Sequence, residues 1–264
     1  MRDAAQKRGY YVCRKEKTAV KLETRGLCFC YEGKQVLEKI DFSVKEGEFV
    51  SLLGPSGCGK STLLNILAGI LPVQKGEILV DGQPVKGLSS HFAYMPQQDL
   101  LLPWKTILSN VCLYGRLHRS EEQARELALS SMEVFGLKGY ENRYPRELSG
   151  GMRQRAAFLR TALCEADILL LDEPFGALDV ITRGEMQDWL LSMRARLGRT
   201  TLLVTHDIEE AIYLSDRILV LGGSPAEIRK EIVVEGYQRD REWLFAQREL
   251  YGEIYYFLKG ESKR

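Results

Sequence analysis

Four short stretches place phosphate-binding and acid–base side chains beside apolar runs: "GPSGCGKST" (54–62), "LSGGMRQR" (148–155), "ILLLDEP" (168–174) and "LLVTHD" (202–207). The first follows "EFVSLL", precedes a helical pattern and fits the GxxxxGK[ST] spacing. The turn formed by Gly54, Pro55, Ser56, Gly57, Cys58 and Gly59 offers backbone N–H groups to a β-phosphate. Lys60 then reaches the β- and γ-oxygens, and Ser61, with Thr62 beside it, supplies an oxygen to Mg²⁺. In "ILLLDEP" two acids end a buried strand. Asp172 suits Mg²⁺, in direct contact or one layer out, and Glu173 is then free to orient and deprotonate a water. The plainer alternative is a pair of acids opening a loop. His206 also follows an apolar strand, at the rim where open parallel sheets bind ligands, and suits a γ-phosphate contact. The alternative there is a bystander to a helix cap made by Asp207 and Glu210.

"LSGGMRQR" combines a helix cap with an unusual first turn. Ser149 is a good N-cap, and Met152, Ala156, Leu159 and Leu163 follow on one apolar helical face. Gly150 and Gly151 therefore fall in the first turn, where two glycines fit close backbone approach to an anion drawn by the helix terminus. Glycines that merely end a loop are the competing explanation.

The elements that must carry these groups are legible as changes of period. "VKLETRGLCFCY", "QVLEKIDFSV" and "EFVSLLG" read as strands, with a turn at "KEGE". "KSTLLNILAGIL" reads as a helix burying Leu63, Ile66, Leu67 and Ile70 and stopping near Pro72, and "KGEILVDGQPV" as an edge of the same sheet, turning at Asp81-Gly82. Residues from about 104 to 163 read as helical, including a segment opened by a Ser120/Gln123 capping box and closed by Gly136. "ADILLLDEP", "TTLLVTHD" and "DRILVL" have the short apolar runs of a parallel sheet buried on both faces. From 241 a helical tail places Trp243, Ala246, Leu250, Ile254 and Phe257 on one face, to be packed on the protein's own body.

Composition excludes several classes. A net charge of +1 gives no reason to expect nucleic acid as a partner. No apolar run approaches the roughly 18 residues of a membrane span, and the N-terminus has no signal-like apolar stretch. Cys13, Cys28, Cys30, Cys58, Cys112 and Cys164 lack CxxC spacing and read as reduced thiols, a metal pair at Cys28/Cys30 being the minor alternative.

Together these stretches resemble the ATP-binding subunits of ABC transporters. "GPSGCGKST" is similar to the Walker A loop, "ILLLDEP" to Walker B, "LSGGMRQR" to the family signature, "GALD" (176–179) to the D-loop and "VTHD" to the switch histidine. Gln97, six residues before Pro103, resembles the Q-loop glutamine, and Tyr31 the aromatic that stacks on adenine, with core packing as its alternative. The departure is Gly176, where the D-loop often carries serine.

The resemblance implies an α/β P-loop NTPase of ABC type: a mixed-sheet core, an N-terminal antiparallel β subdomain and an inserted α-helical subdomain. Its boundaries would be a cassette over 20–258, with core segments 20–100 and 164–235, a helical insert at 101–163, a C-terminal tail at 236–264 and an extension at 1–19. It implies ATP and Mg²⁺ as ligands, with Glu173, His206 and Gln97 in catalysis and Ser61, Gln97 and Asp172 at the metal. Leu148, Ser149, Gly150, Gly151 and Gln154 would contact ATP held by a second ATPase subunit, read as an identical chain, and Asp179 would belong to the D-loop. It further implies permease subunits, indirectly a solute-binding protein, and a peripheral position on the cytoplasmic face of the membrane. "QQDLLLPWKTILSNV" resembles the nitrate, sulfonate and taurine importer branch. The alternatives are an exporter or lipoprotein-release ATPase, a non-transport ABC ATPase, or a module that clamps ATP with little turnover.

Overall fold

Residues 10–11, 19–176, 178–236 and 238–260 are described by a computed structural model. The expected extension at 1–19 is described only at Tyr10, Tyr11 and Ala19, and Cys13 lies outside the described residues. The chain begins with β1 (Tyr10–Tyr11), β2 (Val20–Tyr31), β3 (Lys34–Lys45), β4 (Phe49–Leu53), α1 (Lys60–Leu67), β5 (Lys75–Val80), β6 (Gln83–Pro84) and β7 (Phe92–Met95). Helices α2 (Ile107–Val111), α3 (Leu113–His118), α4 (Glu121–Val134) and α5 (Gly150–Ala162) come next. Strand and helix then alternate through β8 (Ile168–Asp172), α6 (Val180–Leu197), β9 (Thr200–Thr205), α7 (Ile208–Leu214) and β10 (Arg217–Gly222). The last elements are β11 (Glu227–Val233), β12 (Gln238–Arg239), α8 (Arg241–Ala246) and α9 (Arg248–Leu258).

Among the described residues the central sheet runs β11-β10-β4-β9-β8-β7. Its strands pair in parallel except at β10–β11. Side chains alternate between two cores: Phe49, Leu53, Leu169, Leu171 and Leu203 face the helices, while Val50, Leu52, Ile168, Leu170, Leu202 and Val204 face α1 and the second sheet. Both faces are covered, which is why these strands read as unbroken apolar runs. The second sheet is antiparallel, in the order β3-β2-β5-β6. Strand β4, expected in that same sheet, lies in the central one, whereas "KGEILVDGQPV" joins β2 and β3 as expected. Its expected turn is present, with φ of 51° at Asp81 and 74° at Gly82, the doubly left-handed geometry of a tight hairpin.

Strand register positions the chemistry. Leu53 pairs with Thr205, Asp172 with Val204 and Met95 with Leu171. The segments bearing Lys60, Gln97, Glu173 and His206 consequently leave the sheet at one carboxyl edge, where open α/β sheets bind ligands.

Local capping decides helix ends. Ser120 accepts a hydrogen bond from the Gln123 N–H at 3.3 Å, and Gly136, at φ 66°, follows the end of α4. Helix α1 stops sooner than expected, because Gly69 takes the left-handed conformation (φ 74°) just past the Ala68 cap. Ile70, expected on the buried face, is thereby outside the helix and exposed. The tail is broken at Gln247 into α8 and α9. Ile254 is buried as expected and Trp243 and Leu250 are partly so, but Ala246 and Phe257 are exposed, and Leu244 takes the core position. Upstream of α8, the buried Arg239 guanidinium donates to the carbonyls of Tyr213, Ser215 and Val234, tying the tail to the C-terminal end of α7.

Candidate nucleotide site

The 54–59 turn is shaped by sterics from its own chain. A Cβ on Gly54 would lie 2.6 Å from the Leu221 carbonyl oxygen, and one on Gly59, itself at φ 109°, would lie 2.9 Å from Leu37 Cδ2. Neither position accepts a side chain. Lys60 opens α1 almost fully buried, and its ammonium donates to the carbonyls of Gly54 at 2.8 Å and Pro55 at 2.9 Å. An ammonium has three N–H donors, so one remains for an anion over the turn. The α1 N-terminus has no acidic residue in its first turn to compete for its dipole. Pro55, Ser56, Gly57 and Ser61 are exposed, Cys58 and Thr62 half-buried.

Ser61 Oγ donates to Asp172 Oδ1 at 3.0 Å. Burial pushes the Asp172 carboxyl above its ordinary value, opposed by its hydrogen bonds from Ser61 and Tyr94. One hydroxyl and one carboxylate side by side form a hard-oxygen pair of the kind that suits Mg²⁺. Among the described residues no cluster of three or more His, Cys, Asp or Glu side chains could hold a metal.

Glu173 is the meeting point of the acid–base groups. Its Oε2 accepts from Gln97 Nε2 at 3.2 Å and lies 3.2 Å from His206 Nδ1. Its backbone is left-handed, at φ 42°, an arrangement costing roughly 1–2 kcal/mol for a residue with a Cβ. The Glu173 N–H, bonded to the Val204 carbonyl at 2.9 Å, holds the chain there. Gln97 is exposed and His206 half-exposed, so this cluster faces outward. The cap expected at Asp207 also exists, its carboxylate accepting from the Glu210 N–H at 3.1 Å. Tyr31 is 44 % exposed at the end of β2, and its ring meets the buried Phe29 edge-on.

The signature segment stands apart from this cluster. Ser149 caps α5, accepting from the Met152 N–H at 3.3 Å. Gly151 is buried, and a Cβ there would lie 2.7 Å from Thr182 Cγ2, so its glycine is demanded by packing against α6. Gly150 is looser, with Leu178 Cδ2 at 3.4 Å from its imagined Cβ. Leu148 is buried. Gln154, expected to reach a second chain, is instead 5 % exposed, because position 154 falls on the inward face of α5. Asp179 caps α6, accepting from the N–H groups of Ile181 and Thr182, both at 3.1 Å. Gly176 has room for a side chain, its nearest neighbours being the Glu173 carbonyl and carboxylate oxygens at 3.6 Å.

Several contributors lie beyond the reach of sequence reading. The arginines crowding α5 hold the segment after Gln97: Arg153 Nε meets Asp99 Oδ2 at 3.1 Å, and Arg160 donates to the carbonyls of Asp99 and Leu100, each at 2.8 Å. Tyr94 donates to Asp172 Oδ2 at 3.3 Å. Glu210, one turn beyond His206, is fully buried, and burial together with the Asp207 charge lifts its carboxyl to about 8. Tyr94 lies in an apolar run and Glu210 beside Glu209, so neither carries a sequence signal of these partners or of burial.

The chain is similar to several known proteins. Residues 37–176 match the family model described as "ABC transporter". The chain is 44 % identical over 198 residues to the aliphatic sulfonates import ATP-binding protein SsuB of Bacillus thuringiensis subsp. konkukian (strain 97-27), covering 75 % of this chain and 78 % of the relative. It is 41 % identical over 222 residues to the taurine import ATP-binding protein TauB of Yersinia pestis bv. Antiqua (strain Antiqua), covering 84 % and 87 %. Among solved structures, a dimeric post-hydrolysis state of the ATP-binding cassette MJ0796 bound to ADP and Pi superposes with a TM-score of 0.71 at 31 % identity, covering 82 % of this chain and all of that one.

Proposed function

The chain belongs to the ABC transporter family, and from that premise we propose that two copies sandwich ATP and drive uptake of a small sulfonate-class solute through permease subunits. It is an ATPase that powers solute import. The observation that carries the site assignment is the convergence of Gln97 and His206 on one oxygen of Glu173, beside the Ser61–Asp172 pair.

In this reading the 54–59 turn and Lys60 bind the β- and γ-phosphates, and Tyr31 stacks on the adenine. Ser61, Asp172 and Gln97 hold Mg²⁺, which when bound neutralises phosphate charge and orients the γ-phosphoryl group. Glu173 accepts a proton from the attacking water, while Gln97 and His206 hold its carboxylate in place and His206 turns its other ring nitrogen toward the γ-phosphate. The signature tip of a second chain, through Ser149 and Gly150, caps the same γ-phosphate, with Asp179 of each D-loop at the seam. Within one chain that tip packs in the core beneath the helices, whereas the phosphate turn and α1 rest on the other core. A second copy can bring the two together. A unit-charge contact at about 4 Å is worth around 4 kcal/mol at an effective dielectric of 20, so ATP holds the closed pair and hydrolysis releases it.

No helix among the described residues is long and apolar enough to cross a membrane. The proposed location is the cytoplasmic face, bound to permease subunits. The relatives named for sulfonate and taurine import support that solute class, as does the "LLPW" stretch. Affinity capture from membranes tests it. A permease together with sulfonate-dependent stimulation of ATP hydrolysis supports the reading, and capture of a drug or lipoprotein exporter contradicts it.

A further inference from the structure

Asp172 is 5 % exposed, and each of its carboxylate oxygens has its own donor, Ser61 Oγ on Oδ1 at 3.0 Å and Tyr94 OH on Oδ2 at 3.3 Å. The pair of donors pins the carboxylate plane. With Ser61 alone it could turn about its Cβ–Cγ bond. The Ser61 hydroxyl has one proton and two lone pairs, so giving the proton to Asp172 leaves lone-pair density for a cation. Tyr94 is placed by sheet register, paired with Leu170 next to the strand that ends at Asp172. Its ring also forms part of the wall of a groove lined by Ala68, Ile70 and Phe92. A phenylalanine would serve that wall equally well, so packing gives no reason for the hydroxyl.

We propose that Tyr94 is a positioning residue for the nucleotide-bound divalent cation, its hydroxyl fixing the Asp172 carboxylate in the orientation that faces Ser61. This rests on Asp172 being the carboxylate that serves Mg²⁺. Mn²⁺ monitored by electron paramagnetic resonance, titrated into protein saturated with a non-hydrolysable ATP analogue, reads cation affinity without turnover. Tyr94→Phe should weaken Mn²⁺ binding about 10-fold, as loss of an outer partner to a ligand commonly does. Analogue affinity in chelator without cation, and the melting temperature, should stay at wild-type values. Unchanged Mn²⁺ affinity in Tyr94→Phe, alongside a loss in Asp172→Asn, overturns the proposal while sparing the assignment of Asp172. Unchanged affinity in both variants overturns that assignment as well. A drop in metal-free nucleotide affinity equal to the Mn²⁺ loss also overturns it, because Tyr94 would then be shaping the whole site.

Discussion

The molecule has two glycine-rich helix tips, both proposed to meet phosphate, and they differ in how much of a site each one contains. At the α1 tip the chain supplies nearly everything: the Gly54 and Gly59 turn, Lys60, the Ser61–Asp172 pair and the Glu173 cluster lie at one sheet edge. At the α5 tip it supplies a capped helix N-terminus and little else, since Gly151 is committed to Thr182 and Gln154 faces inward. A tip so sparsely equipped is useful against a phosphate already held by something else. The comparison therefore predicts that damage to α1 abolishes binding, while damage to α5 spares binding and abolishes dimer closure and turnover.

The largest effect is expected in the acid–base cluster. Glu173→Gln should lower kcat by about 10²- to 10⁴-fold, the usual range for loss of a general base, and leave ATP affinity intact. Undiminished turnover in a single-turnover assay would remove Glu173 from that role. Next, Lys60→Ala discards charge-assisted contacts worth about 1.5–3 kcal/mol each and should weaken ATP binding by at least about 100-fold by calorimetry.

A buried acid in the first turn of α7 adds a pH dependence that belongs to neither tip. Glu210 titrates near 8 in the folded chain against 4.5 ordinarily, so between those values the folded state keeps a proton that the unfolded state releases. Stability should fall as pH rises through that window and level off above it. Glu210→Gln should flatten the slope in urea melts taken at pH values of about 5 to 8. A slope identical to wild type would show that Glu210 does not carry it. The smallest effects separate the two signature glycines. Gly151→Ala drives a Cβ to 2.7 Å from Thr182 and should cost about 1–3 kcal/mol, whereas Gly150→Ala should stay within about 0.5 kcal/mol by the same melts.

How much is legible in the sequence depends on the range of the forces involved. The 54–62 turn can be read because a strand, a left-handed glycine and a lysine at fixed spacing are local demands. Strands β8, β9 and β10 can be read because burial on both faces leaves unbroken apolar runs. Helix α6 escapes such a reading: Val180 and Ile181 are exposed while Met186, Leu190, Leu191 and Met193 are buried, so no single stripe announces it. Strand β7 escapes it because its partner β8 is distant in sequence, and β11 because Ile232 is the one buried residue along it. Gly151 invites a reading as an anion contact, and its true steric neighbour lies across a tertiary interface. Side-chain pairs such as Tyr94–Asp172 and Arg160 with the 99–100 carbonyls arise only once the sheet aligns their elements.

Sedimentation of the Glu173→Gln chain with saturating Mg²⁺-ATP, with and without Ser149→Arg, addresses the division of labour most directly. The account predicts an ATP-dependent dimer for Glu173→Gln alone, and for the double variant a monomer that binds ATP with unaltered affinity. A double variant that no longer binds ATP as a monomer, or one that still dimerises on it, would contradict the claim that the α5 tip of one chain completes the phosphate site of another.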